Sequence, residues 1–393
     1  MNAWDTFERR ALRETVTSFT EKELVPHLSA WEDTGEVPRE VHKKAADAGL
    51  VGVAFPEHVG GQGGDLIDGS IVSEAMLEAG GSTGLIAALF THGIALPHIV
   101  ASGNADLIDR YVRPTLAGEM IGALGVTEPG GGSDVANIRT RAVRDGDDFV
   151  VNGAKTFITS GVRADFVTTA VRTGGDGYGG ISLLVVDKGT PGFTVARPLR
   201  KMGWHCSDTA ELSFDDVRVP AANIVGEVDG GFVLIMQQFV SERLSLAVQA
   251  YSTAQRALDL AVAYAGERET FGKPLIARQV IRHKLVDMHR RTSAARALTR
   301  QAVERAVVSL PHSLALAGGA PSSTETVLDA VMAKNQSVEA CEWVVSEAVQ
   351  IFGGAGYMRE SEIDRHYRDA RILGIGGGAT EVLNDLAAKL LGY

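Results

Sequence analysis

One long helical segment constrains the fold more than any other feature of the sequence. From Gly231 onward the strand signals disappear, and residues 232 to about 267 read as a single helix. Such a helix is about 50 Å long at 1.5 Å per residue. Residues 276–308 and 325–352 are also amphipathic, and a Pro/Ser-rich segment, LPHSLALAGGAPSST, separates them. Together these segments predict a helical-bundle domain at the C-terminal end.

The rest of the chain divides into a helical part and a β-rich part. From residue 5 to about 120, apolar residues recur at three- and four-residue spacing, as in Val16, Phe19 and Leu24. Between residues 121 and 225 the pattern changes to short β-rich runs, such as FVTTAVR and ISLLVVD, that turn residues separate. The sequence therefore predicts a mainly α fold with a β domain: a helical domain over residues 1–120, a β domain over residues 121–230 and the helical bundle over residues 231–393.

Composition argues against several classes of partner. The formal net charge of −11 disfavours binding to a phosphate backbone, so we expect no nucleic acid partner. The two cysteines, Cys206 and Cys341, are too few for a disulfide framework or a CxxC metal site and fit a reducing compartment. HExxH is absent, and His283 and His289 face different directions on a predicted helix, so we expect no metal site. No segment resembles a signal peptide or a membrane span, and we expect a cytoplasmic protein without a membrane partner.

A glycine-rich segment, GVTEPGGGSD, occupies residues 125–134, where the helical part gives way to the β part. Its glycines let backbone N–H groups approach a ligand closely, and Thr127 and Ser133 add hydroxyl groups, which suits a flavin ring or a phosphate-bearing thioester. An ordinary glycine-rich turn is the alternative. The segment is not a Walker loop, because GK[ST] is missing, and no GxGxxG opens a βαβ unit.

A second segment, NGAKTFITSG, occupies residues 152–161. Asn152 and Gly153 predict a hairpin turn, and alternation along the following strand places Phe157 and Thr159 on one face. An aromatic ring and a hydroxyl two residues apart can cover and hydrogen-bond the same planar ring. A hairpin without a binding role is the alternative.

Two further segments lie in the predicted bundle. In ERETFGKPL, Arg268 and Phe271 are predicted to lie one helical turn apart at the end of the long helix, where a guanidinium and a ring would suit pyrophosphate and adenine. A solvated ion pair beside a core phenylalanine is the alternative. Two groups of glycines then interrupt the helices that follow: Gly353, Gly354 and Gly356, and residues 376–378. Such breaks are usually caps, but their number also indicates close approach of ligand atoms.

These four segments, in this order and at these spacings, resemble the acyl-CoA dehydrogenase family, and the match covers nearly the whole chain. The resemblance implies an N-terminal helical domain, a central β-barrel and a C-terminal four-helix bundle, assembled as a homotetramer or a dimer. It also implies FAD as the cofactor. The residues implied to hold FAD are Leu124, Thr127, Gly132, Ser133, Phe157 and Thr159 around the flavin, Arg268, Phe271, Gln279, Gln350, Gly353 and Gly354 across a subunit interface, and Thr380 near the pyrophosphate.

The sequence departs from the family pattern at the catalytic carboxylate. Most members carry a glutamate in a Y-E-G-T run, whereas the corresponding stretch here is three glycines followed by Ala379. Isovaleryl- and long-chain-type members supply the glutamate from the long helix, immediately before an arginine, and this chain has Glu242 before Arg243 there. Phe239 and Leu246, at i−3 and i+4, predict apolar surroundings that raise the pKa of Glu242. An exposed glutamate paired with a nearby arginine is the alternative.

The resemblance implies that Glu242 removes the α proton of an acyl thioester while the β hydrogen leaves as hydride to flavin N5. The residues implied to contact the thioester are Ser133, Arg243, Gly376 and Gly377, the last through its N–H. The glycines leave space for a branched or bulky acyl chain, and a long straight chain is the alternative. The substrate would be an acyl-CoA or an acyl-carrier-protein, and the acceptor an electron-transfer flavoprotein or a similar protein. Two rival functions stay open: a flavin-dependent monooxygenase on the same scaffold, and a non-enzymatic protein that binds acyl thioesters.

Overall fold

The computed structural model describes residues 2–309 and 323–393. The predicted Pro/Ser-rich segment, apart from Ser323 and Thr324, lies outside the described residues. Within the described part, the predicted fold is confirmed: short helices come first, a β-sheet follows, and long helices complete the chain.

The N-terminal part is helical. Its helices are α1 (Phe7–Phe19), α2 (Val25–Thr34), α3 (Arg39–Asp47), α4 (Leu66–Glu78), α5 (Thr83–Leu89), α6 (His92–Ala95), α7 (Pro97–Ser102), α8 (Ala105–Leu107) and α9 (Arg113–Leu116), with π-helical turns at Thr20–Leu24 and Ile108–Val112. Helix α4 begins with a capping box formed by Asp65 and Asp68. Arg9 of α1 binds both carboxylates at 2.8 Å, so the start of α4 is fixed against α1.

No single helix within the described residues is both long enough and apolar enough to cross a membrane. One pair of helices, Thr83–Leu89 with His92–Ser102, meets those criteria when its two members are combined, and that pair is bent by 60°.

The central part is one sheet, formed in the described chain by eight strands. The strands are β1 (Gly122–Gly125), β2 (Arg141–Asp145), β3 (Asp148–Thr159), β4 (Phe166–Arg172), β5 (Ile181–Asp187), β6 (Phe193–Pro198), β7 (Thr209–Pro220) and β8 (Ile224–Val225). Their order is β6-β7-β3-β2-β4-β5-β8, and β1 pairs in parallel with β4. Both faces of β4 are buried: Phe166 and Ala170 pack with the N-terminal helices, whereas Val167 and Val171 pack inside the β domain. Strand β4 therefore lies between two apolar cores.

One prediction about β3 requires correction. Asn152 and Gly153 do not form a hairpin turn, because both lie inside β3, and the chain reverses instead at Gly146 between β2 and β3. Gly153 sits at an irregularity opposite β7, where an added Cβ would lie 2.7 Å from the Cα of Thr140. Close approach of two backbones, and not a turn, requires this glycine. A second irregularity lies between Lys155 and Ile158, before the end of the strand that carries Phe157 and Thr159.

The C-terminal part is built from long helices. Its elements are α10 (Gly231–Glu267), the short strands β9 (Glu269–Thr270) and β10 (Lys273–Pro274), and the helices α11 (Gln279–Ser309), α12 (Thr324–Phe352), α13 (Glu362–Ala370) and α14 (Thr380–Leu391). The prediction of one continuous long helix is confirmed by α10, whose 37 residues give a length of about 55 Å. At its start, a Cβ on Gly231 would lie 2.6 Å from the carbonyl carbon of Ser182, so α10 begins directly against β5.

Arg268 and Phe271 do not lie on α10, contrary to the sequence prediction. The helix ends at Glu267, and Arg268 is extended, with φ −70° and ψ 119°. Phe271 and Gly272 are the two central residues of a hairpin turn between β9 and β10, and both have positive φ, 52° and 73°. This conformation is typical of a type I′ turn, which cannot continue a helix.

Candidate active site

A cavity of about 1060 Å³ lies where the three parts of the fold meet. Its walls come from α4, α5, the glycine-rich loop after β1, the end of β3, α10, and the three glycines before α14. A pocket for one drug-sized ligand measures about 300–1,000 Å³, so this cavity has room for a ligand at least that large. In residues 2–309 and 323–393, no group of three or more His, Cys, Asp or Glu residues is placed to hold a metal ion.

The glycine-rich loop and the end of β3 form one wall of the cavity. The predicted residues on this wall are Leu124, Thr127, Gly132, Ser133, Phe157 and Thr159, and all of them line the cavity. Throughout the described chain, the hydroxyl groups of Thr127, Ser133 and Thr159 have no hydrogen-bond partner. They are therefore free to bind a polar ligand inside the cavity.

A buried ion pair holds the glycine-rich loop against β3. The Nζ atom of Lys155 on β3 donates to Glu128 at 2.8 Å and to the Val126 carbonyl at 3.1 Å. Glu128 also accepts from the amides of Arg139 and Thr140. Burial alone would raise the pKa of Glu128, but Lys155 and these hydrogen bonds hold it below its usual value. Burial lowers the pKa of Lys155 to about 8. Neither residue was predicted to have a role, although Glu128 lies in the segment 125–134 and Lys155 in the segment 152–161.

Phe157 is held in a conformation that costs free energy. Its φ is +59°, in the left-handed region that bulky residues rarely adopt, and its side chain is 68% exposed on the cavity wall. Strain of this kind costs on the order of 1–3 kcal/mol and tends to occur at functional sites. An exposed aromatic ring in such a position can cover the face of a planar ligand.

Glu242 lies on α10 and lines the same cavity, where it is partly buried. No residue in the described part of the chain forms a hydrogen bond or an ion pair with its carboxylate. Burial raises the pKa of Glu242, against the opposing charges of Arg243 and Lys334. The structure therefore contradicts the alternative of an exposed glutamate that is paired with an arginine.

The three-glycine segment places backbone atoms beside Glu242. Gly376 and Gly377 line the cavity, and a Cβ on Gly377 would lie 3.7 Å from the Oε1 atom of Glu242 and 2.4 Å from the Cδ1 atom of Leu246. Arg243 also lines the cavity, is buried, and donates through Nε to the Gly377 carbonyl at 3.3 Å. Position 377 and the carboxylate of Glu242 thus share one corner of the cavity.

Lys334 of α12 is a buried cation that was not among the predicted site residues. Its side chain is fully buried, and its Nζ atom donates to the Gly378 carbonyl at 2.8 Å. Burial lowers its pKa to about 8, and the charge of Arg243 acts in the same direction. One signal was available: Val331 and Val338, at i−3 and i+4, place Lys334 on the apolar face of α12.

The remaining predicted residues lie away from the cavity. Six of them form an exposed group, here called the hairpin surface: Arg268, Phe271, Gln279, Gln350, Gly353 and Gly354. They lie near one another because Tyr264, at the end of α10, stacks on Phe352, at the end of α12, with 4.2 Å between ring centroids. Thr380 is also outside the cavity wall, where its hydroxyl donates to the Gly374 carbonyl at 3.4 Å, whereas Ala379 lines the cavity.

Three family models match the chain. They describe the acyl-CoA dehydrogenase N-terminal, middle and C-terminal domains and match residues 6–119, 123–217 and 229–392. Probable acyl-CoA dehydrogenase YngJ of Bacillus subtilis is 37% identical over 393 residues, which is 100% of both chains. The mitochondrial long-chain specific acyl-CoA dehydrogenase of Mus musculus is 37% identical over 97% of this chain and 86% of its own length. A solved structure of a probable acyl CoA dehydrogenase from Mycobacterium abscessus is 64% identical with a TM-score of 0.95, over 99% of this chain and 100% of that one.

Proposed function

Because the chain belongs to the acyl-CoA dehydrogenase family, we propose that it oxidises the bond between the α and β carbons of an acyl-CoA, with Glu242 as the base and FAD as the hydride acceptor. One observation supports this assignment of Glu242 above all others. Its carboxylate lines the cavity without a hydrogen-bond partner or an ion pair in the described chain, beside the backbone of Gly377. Among the described residues, the carboxylate is thus available to a ligand in that cavity.

The cavity wall fits a flavin. Thr127, Ser133 and Thr159 offer hydroxyl groups that the described chain does not use, and the exposed ring of Phe157 can cover one face of a planar group. When bound, FAD supplies the acceptor for the hydride that leaves the β carbon. The cavity volume also leaves room for an acyl chain beside the cofactor.

In the proposed mechanism, the residues of the chain handle the α proton and the developing negative charge. Glu242 takes the proton from the α carbon, and burial helps because it raises the pKa of the carboxyl toward the range that suits a base near neutral pH. The amide of Gly377 has no hydrogen-bond partner among the described residues, so it can donate to the thioester carbonyl oxygen as charge develops there. Arg243 and Lys334 hold the carbonyls of Gly377 and Gly378, which orients this segment.

The hairpin surface supports a proposal about assembly. None of its residues lines the cavity, yet the family resemblance assigns them to FAD. Phe271 is 96% exposed at the tip of its turn, so its ring is available to a partner. We infer that a second copy of the chain covers this surface and that each FAD contacts two copies, in a dimer or a tetramer. Phe271→Asp should therefore shift the oligomer toward monomer in analytical ultracentrifugation and weaken FAD binding.

The decisive experiment replaces the proposed base. Glu242→Gln keeps the size of the side chain but removes the carboxylate, so bound FAD should be retained while its reduction by acyl-CoA slows on the order of a hundredfold or more. Asp259→Asn is the matched control, because Asp259 is an exposed carboxylate on the same helix outside the cavity wall. Rapid mixing under anaerobic conditions, with flavin absorbance as the signal, measures both variants. A Glu242→Gln enzyme that is reduced at the parent rate would show that the base lies elsewhere.

A thioester panel separates the proposed function from its rivals. Acyl-CoA and acyl-carrier-protein substrates share the phosphopantetheine arm, so both belong in the panel. Bleaching of bound flavin by either class supports a dehydrogenase, and reoxidation by an electron-transfer flavoprotein would identify the acceptor. A requirement for oxygen and a separate flavin reductase would indicate a monooxygenase instead. Binding of thioesters without bleaching would indicate a protein that binds them and does not oxidise them.

A further inference from the structure

The cavity continues past Glu242 along α10, between α10 and α4. Ser245 and Gln249 follow Glu242 on α10, and all three line the cavity, as does Ser73 of α4. Helices α4 and α10 run side by side in the same direction: burial and the charge of Glu74 raise the pKa of Tyr251, and further along both helices Arg256 donates to the Glu78 carbonyl at 3.3 Å. Ser73 precedes Glu78 by five residues on α4, and Gln249 precedes Arg256 by seven residues on α10, so the two lie at similar positions along the paired helices. We call Ser73, Ser245 and Gln249 the distal polar group.

The distal polar group has unused hydrogen-bonding capacity. Gln249 is only 7% exposed, and its Nε2 atom donates to the Ser245 Oγ atom at 3.3 Å. Within the described part of the chain, the Gln249 Oε1 atom, the Ser73 hydroxyl and the proton of the Ser245 hydroxyl have no partner. Ser70, one turn earlier on α4, is different because its hydroxyl donates to the Leu66 carbonyl of its own helix at 2.6 Å.

A wall of this kind is poorly suited to a plain alkyl chain. Buried polar groups are almost always hydrogen-bonded, and a saturated chain packed against the distal polar group would leave its donors and acceptors unmet. A site built to hydrogen-bond a substrate group can reject the analogue that lacks that group by large factors. The chemistry of the distal polar group therefore favours an acyl chain that itself carries a donor and an acceptor.

We propose that the distal polar group is a specificity subsite for acyl thioesters that carry a hydroxyl or a similar polar group far from the thioester. Gln249 lies seven residues beyond Glu242, so the two are about 10 Å apart along the helix. With C–C bonds of about 1.5 Å, a zigzag chain covers that distance in roughly eight carbons beyond the α carbon. The polar group should thus lie near the tenth carbon of the acyl chain. This inference rests on the proposed function, since it assumes that the α carbon lies beside Glu242.

The test compares two thioesters of equal length, 10-hydroxydecanoyl-CoA and undecanoyl-CoA. The parent enzyme should prefer the hydroxylated substrate by tenfold or more in kcat/KM for flavin reduction. Gln249→Leu should abolish or reverse that preference, and Ser73→Ala should reduce it. Ser70→Ala is the matched control and should leave the preference unchanged, because the Ser70 hydroxyl is already bonded to its own helix. Equilibrium binding of both thioesters, measured from the perturbed flavin spectrum of the Glu242→Gln enzyme, should show the same order.

The possible outcomes are distinguishable. Equal kcat/KM for the two thioesters, or a preference for undecanoyl-CoA, overturns the subsite while leaving the dehydrogenase intact. An unchanged preference in both Gln249→Leu and Ser73→Ala also overturns it. Failure of every thioester to bleach the parent flavin refutes the proposed function instead. Thermal melting confirms that each variant is folded, and Ser73→Ala, the smaller change, provides the test if Gln249→Leu does not fold.

Discussion

If Glu242 is the base, the carboxylate should still work from position 377. The Cβ of a residue at 377 would lie 3.7 Å from the present Glu242 Oε1 atom, so a side chain there reaches the same corner of the cavity. Glu242→Gly alone should slow flavin reduction on the order of a hundredfold or more, the scale of a lost general base. Combining it with Gly377→Glu should restore part of that rate.

Placing a side chain at position 377 lowers the folding stability in two ways. Gly377 has φ +64°, a conformation that destabilises any other residue by roughly 1–2 kcal/mol. The new Cβ would also lie only 2.4 Å from the Cδ1 atom of Leu246, so that side chain must be shortened. Leu246→Val removes the contact and costs roughly 0.5–1.5 kcal/mol, by analogy with the loss of one core methylene. These two costs total about 1.5–3.5 kcal/mol, which is smaller than a typical folding free energy of about 5–15 kcal/mol, so the triple variant should fold.

The assay follows anaerobic flavin reduction in the triple variant Glu242→Gly, Leu246→Val, Gly377→Glu. We expect at least a tenfold gain over Glu242→Gly alone. The matched control has Gly377→Gln in place of Gly377→Glu, because it fills the same space without a carboxylate. If both triple variants bind FAD and acyl-CoA but react at the same slow rate, position 377 does not share the corner of the cavity with the base, and the geometric argument fails.

Three further predictions concern charge and strain. Because burial raises the pKa of Glu242, flavin reduction should rise with pH around a pKa above the ordinary 4.5, and Glu242→Gln should abolish this dependence in anaerobic stopped-flow measurements. Burial lowers the pKa of Lys334 from 10.5 to about 8, so between pH 8 and pH 10.5 the folded protein holds fewer protons than the unfolded chain and becomes more stable as the pH rises. The melting temperature should therefore increase across that range, and Lys334→Met should reduce this increase. Phe157→Gly should relieve strain and leave the melting temperature of FAD-free protein equal or higher, while FAD affinity measured by fluorescence falls several-fold.

The sequence predicted the large features because they depend on long periodic patterns. The 37-residue α10 and the apolar surroundings of Glu242 follow from helical spacing. The errors fall where the backbone is irregular: the positive φ of Phe157, the turn at Phe271 and the close approach at Gly153 depend on contacts between distant segments. The secondary-structure propensity of neighbouring residues does not indicate such contacts.

The burial of the charged residue Lys334 was not predicted from the sequence either. A lysine in an amphipathic helix is usually solvated, and only the packed structure shows that Lys334 contacts the Gly378 carbonyl. The same holds for the distal polar group, because Ser73 and Gln249 lie on helices that are far apart in sequence. The pairing of these helices, and not any motif, determines which polar groups meet in the cavity.

A buried ion cluster fixes α4 against two other helices, α1 and α11. Glu74 of α4, almost fully buried, binds Arg13 of α1 at 2.7 Å and Arg300 of α11 at 2.6 Å. Burial alone would raise the pKa of Glu74, but the surrounding arginines hold it below its usual value, so the cluster stays charged at neutral pH. Because Glu74 follows Ser73 directly, the cluster also fixes the position of Ser73 relative to α1 and α11. Ser73 and Glu74 therefore face different sides of α4, since Ser73 lines the cavity and Glu74 lies in the ion cluster, and the position of this part of the cavity wall depends on the charges of that cluster.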